Sequence, residues 1–212
     1  HEQIRKDSTG RPMFKNIHEI TEKIADWSYV CSKADCLSLP PEQYVTRYVD
    51  MPHETEPTYR ALVEDMVAEL PDGEVISVKN VLTKILRLQQ VVGGTVQLDS
   101  GALVDIKENK TAEVLAVLAE SQGRSVVWCR FVSELLRLRE AITAKGYKVL
   151  TYYGDMDIEQ RDQVYAAILA GEYDVVIATP QAGGYGLNFT TASNSIYYSK
   201  DLNLEHYLQS KD

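Results

Sequence analysis

Cysteine is scarce: Cys31, Cys36 and Cys129 are the three in 212 residues. That is too few for a disulfide framework and fits a reducing compartment, with the cytoplasm the expected location. Cys31 and Cys36 have no second pair to complete a zinc set, so Cys36 reads as a small core residue. Long apolar runs are missing. No window approaches eighteen consecutive apolar residues, which excludes a membrane-spanning helix, and the first thirty residues are charged throughout without an apolar centre, so no secretory signal is read. Basic charge is short as well. Twenty-two Lys and Arg against 31 Asp and Glu give a net charge of -9, which disfavours a protein that coats nucleic acid with a broad basic field. The phosphate loop G-x-x-x-x-G-K-[ST], H-E-x-x-H and G-x-S-x-G are all absent. His18, His53 and His206 show no partnered carboxylate pattern and read as surface or capping residues. The thirteen tyrosines are not interleaved with basic residues, so they form no stacking platform for single strands. No self-contained catalytic site and no metal site is nominated.

What is present is ordinary globular composition, 44% hydrophobic and 25% charged. That supports one sizeable core, or one domain with an appended layer. Charge is uneven. Between Cys31 and Val75 three basic residues face ten acidic ones, whereas Ile76 to Lys110 carries five basic against three acidic. This reads as a solvated acidic face beside a mildly basic one. A first residue His1 rather than Met reads as a piece of something longer.

Along the chain, residues 1–27 read as a loose arm. Tyr44-Val45-Thr46-Arg47-Tyr48-Val49 is β-prone beside the Pro40-Pro41 break. Tyr59, Leu62, Val63, Met66 and Leu70 follow helical spacing and predict a helix stopped by Pro71-Asp72-Gly73; a second is expected from Ser77 to Gly93-Gly94. The second half alternates strands and helices. Helical Ala112–Ser121 precedes strand Val126–Cys129, a helix capped by Ser133 and closed by Gly146, strand Tyr147–Tyr153, and a helix opened by an Asp157/Gln160 capping box and ended by Gly171. Strands Asp174–Thr179 and Ser195–Tyr198 follow, and Asn203 opens a last helix. This rhythm predicts an α/β fold, a parallel sheet with helices on both faces, preceded by a mainly helical layer.

Ligands of such sheets bind at the carboxyl ends of the strands. There the third strand delivers Thr179-Pro180-Gln181-Ala182-Gly183-Gly184-Tyr185-Gly186-Leu187-Asn188, whose glycines allow close backbone approach to phosphate, while a turn that merely reverses the chain remains the alternative. Trp128 reads as core, and Arg161 as equally a helix-surface ion pair or a phosphate contact.

Together these residues resemble the second RecA-like lobe of superfamily-two helicases in the Swi/Snf-related branch, most closely its phage and prophage members. Val126–Phe131 resembles the fourth motif, Tyr153-Gly154 with Arg161 the segment between fourth and fifth, and Ala178–Asn188 the fifth nearly position by position. Leu39-Pro40, Tyr59, Leu86-Arg87-Leu88-Gln89-Gln90 with Gly93-Gly94, and Asn109-Lys110 resemble the approach to the lobe. The resemblance implies an arm or link over 1–28, a strand-and-helix layer over 29–108 and the lobe over 109–212. It implies DNA-backbone contacts by Thr179, Gly183, Gly184, Tyr153, Gly154 and Arg130, with Tyr153-Gly154 and Arg130 on neighbouring strand ends, and nucleotide contacts by Gly186, Leu187, Asn188 and Gln209. Leu208-Gln209-Ser210 resembles the opening of the sixth motif, whose arginine fingers are expected beyond Asp212. The parent is then an ATP- and magnesium-dependent DNA translocase whose first lobe is the partner of this one. An arginine finger alone carries ~10³–10⁵ in rate, so this chain by itself is expected to need no cofactor and to turn over no ATP. An RNA-directed helicase lobe and a non-enzymatic protein-interaction module are the alternatives.

Overall fold

The computed structural model describes residues 17–28, 43–77, 80–183 and 188–211. The chain divides into two compact units, His1–Thr46 and Arg47–Asp212. In the first, the stretch read as a loose arm holds a helix, α1 (Ile17–Ala25), with Glu19 in its first turn and Lys23 in its last, the signs that favour a helix dipole. The Pro40-Pro41 break, Cys31 and Cys36 lie outside the described residues.

The stretch 44–49, where the first unit ends and the second begins, departs from its β-prone reading. Residues 43–50 form no strand, and Tyr48 is 93% exposed. Strand propensity expresses packing on a pleated surface, and no neighbouring strand pairs with this stretch among the described residues. Helix α2 (Glu56–Glu64) follows, with Pro57 in its first turn. Its N-cap residue Thr55 makes no cap bond; the hydroxyl donates to the Lys107 carbonyl at 2.6 Å.

The helix expected to run to Leu70 stops at Glu64. Met66 takes a left-handed φ of +59°, and the chain turns into an antiparallel hairpin of β1 (Val67–Glu69) and β2 (Val75–Ser77), Ala68 opposite Ile76. Leu62, Ala68 and Leu70 still reach one core, the last two by strand alternation rather than by helical periodicity. Pro71-Asp72-Gly73 is the hairpin's turn, closed by the Gly73 N–H on the Leu70 carbonyl at 2.9 Å.

Ser77 therefore belongs to β2 and does not begin a helix. Helix α3 (Val81–Gly93) starts at Asn80, whose side chain accepts from the Thr83 N–H at 2.9 Å, and ends at Gly94 with φ +85°. A second hairpin, β3 (Thr95–Gln97) with β4 (Leu103–Asp105), follows without a sequence expectation behind it. The hairpins are tied by Asp99, which accepts from the Ser77 N–H at 3.0 Å and donates its own N–H to the Val75 carbonyl at 3.1 Å. Leu62, Ala68, Leu70, Ile76, Val91, Val96 and Leu98 form this layer's core. It is a mixed strand-and-helix layer.

The remainder is the expected α/β sheet: α4 (Lys110–Glu120), β5 (Ser125–Trp128), α5 (Val132–Thr143), β6 (Val149–Tyr152), α6 (Ile158–Leu169), β7 (Val175–Ala178), α7 (Pro180–Gly183), β8 (Asn194–Tyr197) and α8 (Leu204–Lys211). The four strands run parallel in the order β6-β7-β5-β8. Val127, Cys129, Val175 and Ile177 face α4 and α5 with Val114, Leu118, Leu135, Leu138 and Ile142. Val126, Trp128, Val176 and Ala178 face α6 with Ile168 and Tyr173. A strand buried on both sides reads as a continuous apolar run, as β5 and β7 do. Ser133 does not cap α5: the helix begins at Val132, directly off β5, and the Glu134 carboxylate accepts from the Phe131 N–H at 3.3 Å. Asp157 caps α6 as expected, accepting from the Gln160 N–H at 2.8 Å. Among the described residues no helix is long and apolar enough to cross a membrane.

Candidate nucleic-acid interface

Because all four strands are parallel, their carboxyl ends share one edge. Along it stand Tyr153-Gly154 after β6, Thr179 after β7, Cys129-Arg130 after β5 and Tyr198-Ser199-Lys200 after β8. Tyr153-Gly154 and Arg130 are thus not on neighbouring strand ends, since β7 and Thr179 lie between them. The third strand in sequence, β7, pairs with both β5 and β6 and so separates them in the sheet.

Gly154 is exposed, and a Cβ added there meets nothing within 4 Å. Its carbonyl accepts from the Arg161 guanidinium, which ties α6 to the loop after β6. Thr179 is buried at 6% exposure, its N–H on the Tyr152 carbonyl at 3.1 Å and its carbonyl accepting from Ala182 at 3.1 Å. Gly183 closes α7; Gly184, Gly186 and Leu187 lie outside the described residues. Asn188 is exposed, and its side-chain oxygen accepts from the Thr190 N–H at 3.0 Å. Gln209 sits on α8, its amide nitrogen on Glu205 at 3.3 Å and its Oε1 buried without a partner. Arg130 is held at both ends. Its N–H donates to Ser199 Oγ at 2.7 Å, and its guanidinium donates to Gln89 Oε1 and lies 5.3 Å from the Phe131 ring centroid.

Behind this edge lies a polar cluster that sequence reading missed. Glu134 is fully buried; its Oε2 accepts from Ser199 Oγ as well as from Phe131 N–H, and its Oε1 has no partner. Arg137 donates to the Gly93 and Gly94 carbonyls, to Thr95 Oγ1 at 2.9 Å and to Tyr198 Oη at 3.1 Å, and stands 3.6 Å from Glu108. Lys110 Nζ lies 3.9 Å from the Tyr198 ring centroid. Burial raises the Glu134 carboxyl above its ordinary range, outweighing the nearby Lys110 and Arg137 charges, and lowers Lys110. Glu134 falls in helical line with Leu138 and Ile142; a carboxylate in an apolar stripe was the signal available. His206, read as unpartnered, pairs with Asp201 at 2.5 Å, five residues back across the start of α8.

A pH dependence follows. Above pH 4.5 an unfolded glutamate is ionised, while the folded Glu134 resists ionisation, so the folded state binds more protons and this residue's contribution falls as pH rises through its folded value. Glutamine at 134 does not titrate. Wild type is therefore expected to gain on Glu134→Gln as pH is lowered from 7 towards 4.5, read by urea unfolding of both proteins. A gap independent of pH would count against buried ionisation at this position.

A groove of about 240 Å³ lies away from the strand ends, lined by Met51, Pro52, Thr55, Val91 and Val92 among others. Its three cations are already engaged, Arg47 by Glu113 and Glu120, Lys107 by Glu54, and Lys110 by the Tyr198 ring. Among the described residues no group of three or more His, Cys, Asp or Glu is placed to hold a metal ion.

Comparison with known proteins gives the same fold and a family. The ATP-dependent RNA helicase DBP3 of Ajellomyces capsulatus is 28% identical over 69% of this chain and 35% of its own length. The chromatin-remodeling ATPase INO80 of Sclerotinia sclerotiorum is 29% identical over 50% of this chain and 6% of its own. The chain thus spans about a third or less of the length of these relatives. The solved C-terminal domain of the Sulfolobus solfataricus SWI2/SNF2 ATPase shares the fold with a TM-score of 0.52 at 21% identity, over 72% of this chain and 70% of that one. The family described as the helicase conserved C-terminal domain matches residues 107–212. That match takes in the whole parallel sheet and its strand-end edge, and the chain belongs to the helicase conserved C-terminal domain family, with the RecA-like fold of the second lobe of superfamily-two helicases.

Proposed function

We propose that this lobe serves an ATP-dependent DNA translocase of the Swi/Snf-related branch, its phage and prophage members included, gripping the DNA backbone along the strand-end edge while a first lobe supplies the phosphate loop. The observation that carries this reading is the single edge shared by Gly154, Thr179 and Arg130: an open glycine, a strand-tip threonine and a guanidinium in one row. Neutral N–H and hydroxyl donors grip phosphates without a basic surface, which reconciles the role with a net charge of -9. Tyr153, Gly183 and Gly184 belong to the same proposed DNA contact. Gly186, Leu187, Asn188 and Gln209 are proposed for the nucleotide. Of these, Asn188 and Gln209 carry neutral amides suited to hydrogen bonds with a nucleotide; Gln209 Oε1, buried and unpartnered, is an acceptor in want of a donor. They offer magnesium no carboxylate, so the metal goes with the other lobe. The branch assignment leans on Ala178–Asn188 and on the layer of 56–105.

The test is binding of the full chain to a short DNA duplex. Sequence-independent binding is expected, with Kd on the order of 10⁻⁴ M at physiological salt and a shallow salt dependence, because few counterions are released. Gly154→Val is expected to fold, since nothing stands within 4 Å of the added Cβ, and to weaken binding about threefold or more by blocking close approach. Lys148→Ala, at the opposite end of β6, should leave binding unchanged. An RNA-directed lobe is the second reading, favoured by the likeness to the DBP3 RNA helicase. Tighter binding of an RNA strand than of the duplex would select it, and failure of Gly154→Val to alter either would remove the edge from the proposal.

A further inference from the structure

Among the described residues of the strand-and-helix layer, Gln89 reaches two loops of the strand-end edge at once. It lies on α3, four residues before Gly93, and its amide is used in both directions: Oε1 accepts from the Arg130 guanidinium, and Nε2 donates to the Lys200 carbonyl at 3.1 Å. Arg130 follows β5 and Lys200 follows β8, adjacent strands in the sheet. The two loops are joined independently by the Arg130 N–H on Ser199 Oγ, a hydroxyl that donates to buried Glu134, and by the Ser199 N–H on the Trp128 carbonyl at 3.3 Å. Only the guanidinium end of Arg130 and the Lys200 peptide depend on Gln89. Lys200 carries a second cation, its Nζ 4.4 and 4.1 Å from the Tyr197 and Tyr207 ring centroids.

An arginine side chain free in solution loses rotamer entropy when it is fixed on a phosphate. One fixed beforehand by a neutral amide has already lost much of it, and the amide, unlike a carboxylate, leaves the positive charge unneutralised. We infer that Gln89 is a positioning residue for nucleic-acid binding: it pre-orders the Arg130 guanidinium and fixes its spacing to the Lys200 loop, so that the layer before the sheet sets the affinity of the strand-end edge for phosphate. This rests on the reading of that edge as a nucleic-acid contact.

The experiment is a double-mutant cycle on the full chain, read by fluorescence anisotropy with a labelled DNA duplex at about 20 mM salt, where weak phosphate contacts are amplified. Gln89→Met keeps the length and helix propensity of the side chain and loses both bonds. It is expected to weaken binding about threefold and Arg130→Ala about tenfold, and Gln89→Met should have no further effect in the Arg130→Ala background. Gln89→Asn, one methylene too short to span both partners, is expected to behave as Gln89→Met and stands in for it should that variant fold poorly. Effects that multiply instead of overlapping would overturn the inference, because a purely structural role for Gln89 does not need Arg130. Wild-type binding that Gln89→Met and Gln89→Asn leave unaltered would overturn it too, with the nucleic-acid reading intact. Absence of wild-type binding at 20 mM salt would overturn both together.

Discussion

Arg137→Met is expected to lower the unfolding free energy by about 2–3 kcal/mol, from several charge-assisted hydrogen bonds lost in a part-buried network. The two halves of the second unit keep separate apolar cores, one around Leu62, Ile76 and Val96, the others on the two faces of the parallel sheet. What joins them is polar. Arg137 projects from α5 to the Gly93 and Gly94 carbonyls at the end of α3, to Thr95 at the start of β3 and to Tyr198 at the end of β8. Methionine preserves the stem and removes every donor, so the Gly94 carbonyl loses its side-chain partner, the Gly93 carbonyl keeps Tyr198 Oη at 3.2 Å, and Glu108 loses the guanidinium beside it. Urea unfolding gives the loss. Hydrogen exchange gives its location, and the amides of Thr95–Gln97 and Leu103–Asp105 are expected to exchange before those of the parallel sheet. A loss under about 1 kcal/mol, within the range of an exposed ion pair, would mean that Arg137 is a surface arginine that happens to lie close by.

The glycines beside this network explain why the joint is so close. A Cβ at Gly93 would run into the Glu134 carboxylate, and one at Gly94 would press on Glu108 and come within 3.1 Å of the Arg137 guanidinium. Sequence reading took Gly93-Gly94 for a helix end, which they are, and had no means of seeing that α5 comes up against them from 40 residues away. The same limit runs through the first half of the unit. The spacing Tyr59–Leu70 is helical by count, yet a hairpin delivers Leu70 to the same core, and Pro71-Asp72-Gly73 carried the hairpin signal all along. Short strands of three residues leave too little alternation for periodicity to register, so β1 to β4 were illegible. The parallel sheet was legible for the opposite reason. Val126–Cys129 and Val175–Ala178 are continuous apolar runs separated by helices with recognisable ends, and buried strands of that kind have few other homes. As for the strand-end edge, its members could be named from the chain, but their order across it depends on β7 lying between β6 and β5. That is a property of the sheet and of no single residue. The hold of Gln89 on Arg130 is a long-range contact of the same sort, and a polar residue on a helix face gives no sign of its partner.

Trp128→Ala is expected to be the other severe substitution, at about 3–5 kcal/mol, a large part of the 5–15 kcal/mol that holds a typical domain folded. Trp128 is 1% exposed at the last position of β5, between Ala178 on β7 and Tyr197 on β8. Its ring meets Phe189 edge-on at 5.5 Å and stacks with Tyr197 at 6.4 Å, and its Nε1–H donates to Ser195 Oγ at 3.0 Å. The residue after it is Cys129 and the next is Arg130, so the indole is the packing on which this part of the edge rests. Trp128→Phe fills most of the volume and loses the indole donor; it should cost about 1–2 kcal/mol, from the unmade bond to Ser195 and a smaller void. The comparison separates packing from hydrogen bonding. Thermal or urea unfolding measures both variants, and amide shifts at Cys129, Arg130 and Thr179 in the Phe variant report whether the edge has moved. Near-equal losses for alanine and phenylalanine would mean that the indole hydrogen bond stabilises this position more than its packing does. A loss under about 1 kcal/mol for alanine would mean that the neighbouring rings close over the gap, and that the edge owes its place to the strand hydrogen bonds alone.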